Sequence, residues 1–195
     1  MTLSRRKLIL TGASAALLPV VSPTLLLAQD AAPTDAERAA SPHVRRNTSG
    51  FAQQSWQDHF DSLGKSAIVA DTASRALHYW NAEGDYRIYP TSVPASEELT
   101  RRGYTSVVRK RVGPDWTPTA SMMERNPDLH YMPPGPDNPL GTHAMYLGWP
   151  AYLIHGTHDT RKIGRPSSDG CIGLYNFAIA ELFSVTPIGT QVRVI

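Results

Sequence analysis

The chain has 195 residues, 41% hydrophobic and 18% charged, which is enough for one domain that buries roughly two-thirds of its unfolded surface. Its formal charge of +2 comes from the first 28 residues, which hold three basic and no acidic side chains; the remainder carries 16 basic against 17 acidic, without the basic stripe that nucleic acid requires. A single cysteine excludes an internal disulfide.

Residues 1–28 read as a secretory signal. Arg5, Arg6 and Lys7 form a basic start, an apolar run from Leu8 to Leu27 is broken by Pro19 and Pro23, and Ala28 is a small residue at the cleavage point. The "SRRKLIL" core fits the twin-arginine type, whose cargo crosses already folded. Two prolines oppose a stable spanning helix, so no membrane span is expected after removal, and the expected location is the periplasm or cell envelope. Residues 29–63, rich in Ala, Pro, Ser and charge over their first part, are expected to be a flexible lead-in to a domain over 64–195.

From Lys65 onward short runs of β type alternate with turn residues. "SAIVAD" (66–71), "RALHYWN" (75–81) and "YRIYPTSV" (86–93) have the spacing of a meander, with "AEGD" as the hairpin turn between the last two. "GYTSVVRKRVG" (103–113) reads as a further strand with one wet face. Residues 113–142 then carry seven prolines, which preclude long helices and central strands and leave either a binding loop or a cover for a sheet edge. "HAMYL" (143–147) and "AYLIH" (151–155) are apolar strands around "GWP". "NFAIAELFS" (176–184) is the best helix, N-capped by Asn176, with Phe177, Ala180 and Phe183 on its apolar face. "TQVRVI" (190–195) closes as a strand. The fold class is mostly β with one or two short helices.

Cys171 follows Gly170, and His155 lies sixteen positions upstream at a strand end. A free thiol has a pKa of ~8.5, so it needs a base within reach to act as a nucleophile at neutral pH. A histidine supplies that base, and backbone N–H groups of Gly170 and Cys171 in a tight turn would face a developing oxyanion. These are the parts of a cysteine acyl transferase or hydrolase. Taken alone, the same pair also fits a small buried cysteine beside a turn glycine. A zinc site from His155, His158, Asp159, His143 and Cys171 is disfavoured: His155 and His158 are three apart at a strand end, and neither HExxH nor paired-cysteine spacing occurs. No cofactor and no metal is expected.

The stretch "IHGTHDTRKIGRPSSDGCIGLYN" (154–176) resembles the active-site signature of L,D-transpeptidases with a YkuD-type catalytic domain. "VGPDWTPTASM" (112–122) and "PPGPDNPLGTHAMYLG" (133–148) are similar to family segments in the same order, so the resemblance covers roughly residues 64–195. It implies a β-sandwich-like fold with the cysteine in a cleft beneath a lid formed by the proline-rich loop. It also implies that Cys171 is the nucleophile, His155 its base, Gly156 the carbonyl that orients the imidazole, and Gly170 part of the oxyanion turn. By the same resemblance Ser168, Asp169, Gly173 and Asn176 face the substrate, joined by Arg161 and Arg165 from the loop. The family usually has Arg where this chain has Gly173, and often Asp where it has Ala178; Arg161, Lys162 or Arg165 either supplies the lost charge from the loop or is simply solvated.

The implied reaction acylates Cys171 with a peptidoglycan stem peptide and passes the acyl group to the amine of a second stem. A 3-3 diaminopimelate bridge is the family default, and Gly173 makes a 1-3 bridge a close second. Water as acceptor would make a carboxypeptidase, and a zinc-dependent wall hydrolase is the more remote alternative. Carbapenem-type inhibitors are expected to acylate the same cysteine.

Overall fold

The computed structural model describes residues 53–195; the expected signal (1–28) and most of the lead-in lie outside the described residues. Among the described residues ten strands form: β1 (Ser66–Asp71), β2 (Ala76–Asn81), β3 (Tyr86–Pro90), β4 (Val93–Pro94), β5 (Gly103–Val112), β6 (His143–Leu147), β7 (Leu153–His155), β8 (Pro166–Ser168), β9 (Ile172–Gly173) and β10 (Gln191–Val194). Eight of them make one curled sheet in the order β3-β2-β1-β10-β5-β6-β7-β9, while β4 and β8 pair separately. The pairings β1–β10 and β7–β9 are parallel and the other pairings within this sheet are antiparallel.

Local chemistry sets the first hairpins. Asp71 Oδ1 accepts from the backbone N–H groups of Ala73 (2.9 Å) and Ser74 (3.0 Å), turning the chain from β1 into β2. Asn81 Oδ1 accepts from Asp85 N–H at 2.7 Å across the "AEGD" turn, where Gly84 takes a φ of +92°. The alternation of β1 and β2 then feeds two faces. Ile68, Leu77 and Tyr79 join Met145, Leu147, Ile154 and Ile172 from the other half of the curled sheet in one core, beneath helix α2 (Asn176–Val185). The C-terminus of α2 is tied down by Tyr79 Oη–H, which donates to Val185 O (2.7 Å), and by the Lys110 ammonium, which donates to Phe183 O and Thr186 O.

Five sequence expectations change. Residues 53–63 are not a flexible lead-in: Phe60 and Leu63 pack with Trp56 on Ala67, Val69 and Trp80, covering the outer face of β1 and β2. The run 86–93 breaks into β3 and β4, and the strand expected from Ala151 begins at Leu153, because Ala151 sits at φ +57° in the preceding turn. Helix α2 buries Ala178, Ile179 and Leu182, leaving Phe177 75% exposed. Its N-cap is Tyr175, and Asn176 is already its first helical residue. The proline-rich segment does hold a short helix, α1 (Ala120–Arg125), N-capped by Thr119 and bracketed by Pro118 and Pro127.

Among the described residues no helix is long and apolar enough to cross a membrane.

Candidate active site

His155 is the last residue of β7 and Cys171 directly precedes β9, the strand parallel to it. The register pairs Ile154 with Ile172 and His155 with Gly173, so both isoleucines face the core while His155 and Cys171 emerge on the opposite face as diagonal neighbours. Both line one cleft of about 990 Å³.

The His155 ring is fixed from behind. Its Nδ1 lies 2.5 Å from the Gly156 carbonyl oxygen, which can only accept, so Nδ1 carries the proton and Nε2 is the free basic nitrogen. Burial lowers the imidazole to about 4, against the opposing pull of the Gly156 carbonyl and with the Lys162 charge adding to the shift. Burial likewise pushes the Cys171 thiol up to about 11, outweighing a backbone contact from Leu153 and helped by the Asp169 carboxylate. The resting pair is therefore a thiol and a neutral imidazole, not an ion pair. In agreement, the Cys171 thiol donates to the carbonyl of Ala151 at 3.5 Å. That carbonyl belongs to the residue held at φ +57°, a feature of the "GWPA" turn that sequence reasoning missed.

The turn before Cys171 is shaped by Ser168, whose hydroxyl donates to Cys171 O at 2.5 Å and lies 3.4 Å from Gly170 N. Gly170 takes φ +128°, a conformation that side chains resist, with Leu99 O and the Tyr152 ring packed against it. Among the described residues the Cys171 N–H enters no backbone hydrogen bond, which leaves a donor beside the sulfur.

Asn176 and Gly173 do not line the cleft. Asn176 Oδ1 accepts from Thr142 N–H at 3.1 Å and lies against Gly141 and Gly156, so it braces the segment that carries the orienting carbonyl. Gly141 has φ +62°, and a Cβ there would overlap Asn176 Oδ1 and sit 2.6 Å from Thr157 N. Gly141→Ala is expected to cost ~3 kcal/mol and to lower the melting temperature by about 6–12 °C, measured by calorimetry. Gly173 is closed from the cleft by Ser92, whose hydroxyl occupies the place of a Cβ at 173 and whose backbone bridges to it. Ser92 is 81 positions upstream and had no sequence signal.

The expected loop charges are disposed differently. Arg161 is spent on Asp159, which it grips through Nε and Nη2 at 2.8 and 2.9 Å; Arg165 is exposed and outside the cleft lining. Lys162 does line it. Asp169 pairs with Arg125 of α1 at 2.6 Å, tethering the proline-rich segment across the cleft next to the cysteine turn. The base of that segment is held by buried Asn138, whose amide donates to the carbonyls of Pro114, Met132 and Pro133. Trp116, Met122 and Leu140 of the same segment wall the cleft. His143, His158 and Asp159 do not converge with His155 and Cys171; among the described residues no three metal-ligating side chains form a group.

Residues 65–194 match the family model of the YkuD L,D-transpeptidase catalytic domain. A Fuscovulum blasticum protein from the ATP synthase subunits region, named as an L,D-transpeptidase, is 65% identical over all of this chain and 98% of its own length. The Escherichia coli (strain K12) protein ErfK/SrfK, also named as an L,D-transpeptidase, is 37% identical over 67% of this chain; the match spans 44% of that longer relative. A solved L,D-transpeptidase, LdtMt1 in complex with imipenem, superposes with a TM-score of 0.52 at 16% identity, over 67% of this chain and 59% of its own.

Proposed function

The chain belongs to the YkuD family of L,D-transpeptidases, and from that premise we propose that it cross-links peptidoglycan stem peptides through a thioester on Cys171. The observation that carries this reading is the His155 ring, locked by the Gly156 carbonyl with its basic Nε2 free on the same cleft face as the thiol.

The steps use that geometry. Sγ attacks the donor carbonyl as its proton passes to Nε2 of His155. The free N–H of Cys171 stabilises the oxyanion, while the Gly170 N–H, expected to share that role, points at the Ser168 hydroxyl at 3.4 Å. The C–N bond then breaks, His155 returns the proton to the leaving amine, and a thioester remains. An amine of a second stem attacks the thioester, giving its proton to Nε2; the C–S bond breaks and the proton returns to sulfur. Burial at the pair suits this concerted route, since neither partner carries a charge at rest. A carbapenem enters the same first step, its ring opening in place of the amine's departure; the imipenem complex of LdtMt1 supports that reading. The signal-like start supports a location on the wall side of the cytoplasmic membrane.

Muropeptide analysis of cells expressing the protein tests the proposal. New 3-3 dimers are the expected product. A 1-3 dimer would move the donor carbonyl along the stem, shortened stems without dimers would make water the acceptor, and unchanged muropeptides would remove the assignment.

A further inference from the structure

The sheet register builds a second chemical feature into the cleft floor. Arg109 of β5 pairs with Tyr146 of β6, and Tyr146 pairs with Leu153 of β7. Because Ile154 pairs with Ile172, Leu153 lies beside Cys171. Directly paired residues project to one face, so Arg109, Tyr146, Leu153 and Cys171 form a single row across the cleft, and all four line it.

Arg109 reaches this row only through a β-bulge. The register shifts between Val107, paired with Leu147, and Arg109, paired with Tyr146, leaving Val108 as the extra residue. Val107 is fully buried in the core on the other face. In a regular strand residues two apart share a face, so without the bulge Arg109 would follow Val107 inward.

The guanidinium carbon then sits 3.4 Å from the centre of the Tyr146 ring. Stacking fixes its plane and leaves its N–H edge free to form a fork with a carboxylate. Of the other arginines on or near the cleft, Arg125 is matched with Asp169, Arg111 with Asp115 and Arg161 with Asp159, while Arg101 lies over the Trp149 ring, 4.7 Å from its centre, outside the row of Cys171. Among the described residues no carboxylate pairs with Arg109. Strands are spaced ~4.8 Å apart, so the Arg109 backbone lies roughly 14 Å from that of Cys171. A guanidinium folded back over Tyr146 leaves roughly 10 Å to the nucleophile, about three residues of extended peptide.

We propose that Arg109, stacked on Tyr146, is a specificity-determining residue that binds a free carboxylate of the peptide undergoing acyl transfer at Cys171. The assignment rests on the acyl-transfer reading above. The carboxylate belongs to the acyl donor or to the amine acceptor, and the two have the same chemistry at the guanidinium.

The test uses a diaminopimelate-containing stem tetrapeptide as the free acid and with its carboxylates amidated one at a time. Wild type, Arg109→Gln and Arg109→Lys are compared in two arms, thioester formation with the peptide as donor and amine transfer with it as acceptor. For the free acid, Arg109→Gln is expected to lower kcat/KM at least tenfold in one arm, with Arg109→Lys recovering part of the loss. For one of the amidated peptides, wild type and Arg109→Gln are expected to agree within twofold. Equal losses on every peptide, or no loss in either arm, would overturn the proposal. Calorimetric binding of the same peptides in a Cys171→Ala background keeps the two readings apart. If wild type forms no thioester, the acyl-transfer reading fails, whereas carboxylate-dependent binding that ignores Arg109 refutes only the present assignment.

Discussion

Cys171→Ala is expected to abolish thioester formation and cross-linking, a loss of at least four orders of magnitude in the rate of acyl transfer, while leaving the fold intact. Cys171 sits at the edge of a small cluster with Leu140 and Leu153, and its thiol makes only weak polar contacts, such as that to Ala151 O at 3.5 Å. Its removal should move the melting temperature by no more than about 3 °C, because few packed atoms are lost. Retained activity in this variant would show that another group carries the acyl chain.

His155→Gln is expected to slow acylation by 10²–10⁴-fold and, more diagnostically, to change its pH dependence. In the native pair the imidazole is neutral above about 4 and the thiol is protonated below about 11. General-base attack then needs only the neutral imidazole. The acylation rate should be nearly flat across the neutral range and should fall as pH drops through the value near 4, where His155 takes up a proton. Without the base, only the thiolate reacts. Its population rises tenfold per pH unit below the thiol pKa, so the variant's rate should climb with unit slope through the same range. Stopped-flow acylation by a carbapenem from pH 5 to 9 reads both slopes. Parallel profiles for the two proteins would remove His155 as the base.

The parts of the site that lie within one sequence stretch were legible; those assembled by long-range pairing were not. His155 and Cys171 stood out because a strand end, a glycine-rich loop and a lone thiol are all local features. The hairpins of β1, β2 and β3 were equally local, set by Asp71, Asn81 and Gly84. Ser92 meets Gly173 only through an isolated bridge, and Arg109 meets Tyr146 only through a bulge, so neither leaves a periodic trace in the chain. The face of α2 misled for a different reason. Apart from Asn176 and Glu181, "NFAIAELF" is apolar, so the positions 177, 180 and 183 and the positions 178, 179 and 182 both satisfy a helical period; packing against the sheet selects the second set. Asn176 looked like a cap and a substrate contact from its place in the signature. Its carboxamide instead satisfies Thr142 N–H and lies against Gly156, whose carbonyl holds the His155 ring.

The loop cations show how geometry redirects a charge argument. Arg161 and Arg165 lie near the cysteine in sequence, yet one is neutralised by Asp159 and the other is outside the cleft lining. With Gly173 closed off by the Ser92 hydroxyl, the unpaired guanidinium in the row of Cys171 comes from a strand 62 positions upstream.

The most direct test of the account is mass spectrometry of the wild-type protein after brief exposure to a stem tetrapeptide donor without an amine acceptor. The account predicts a mass increase equal to the donor acyl group, labile to hydroxylamine and mapped to the peptide that contains Cys171. An adduct on any other residue, or turnover with no covalent intermediate under conditions where Cys171→Ala is inactive, would contradict it.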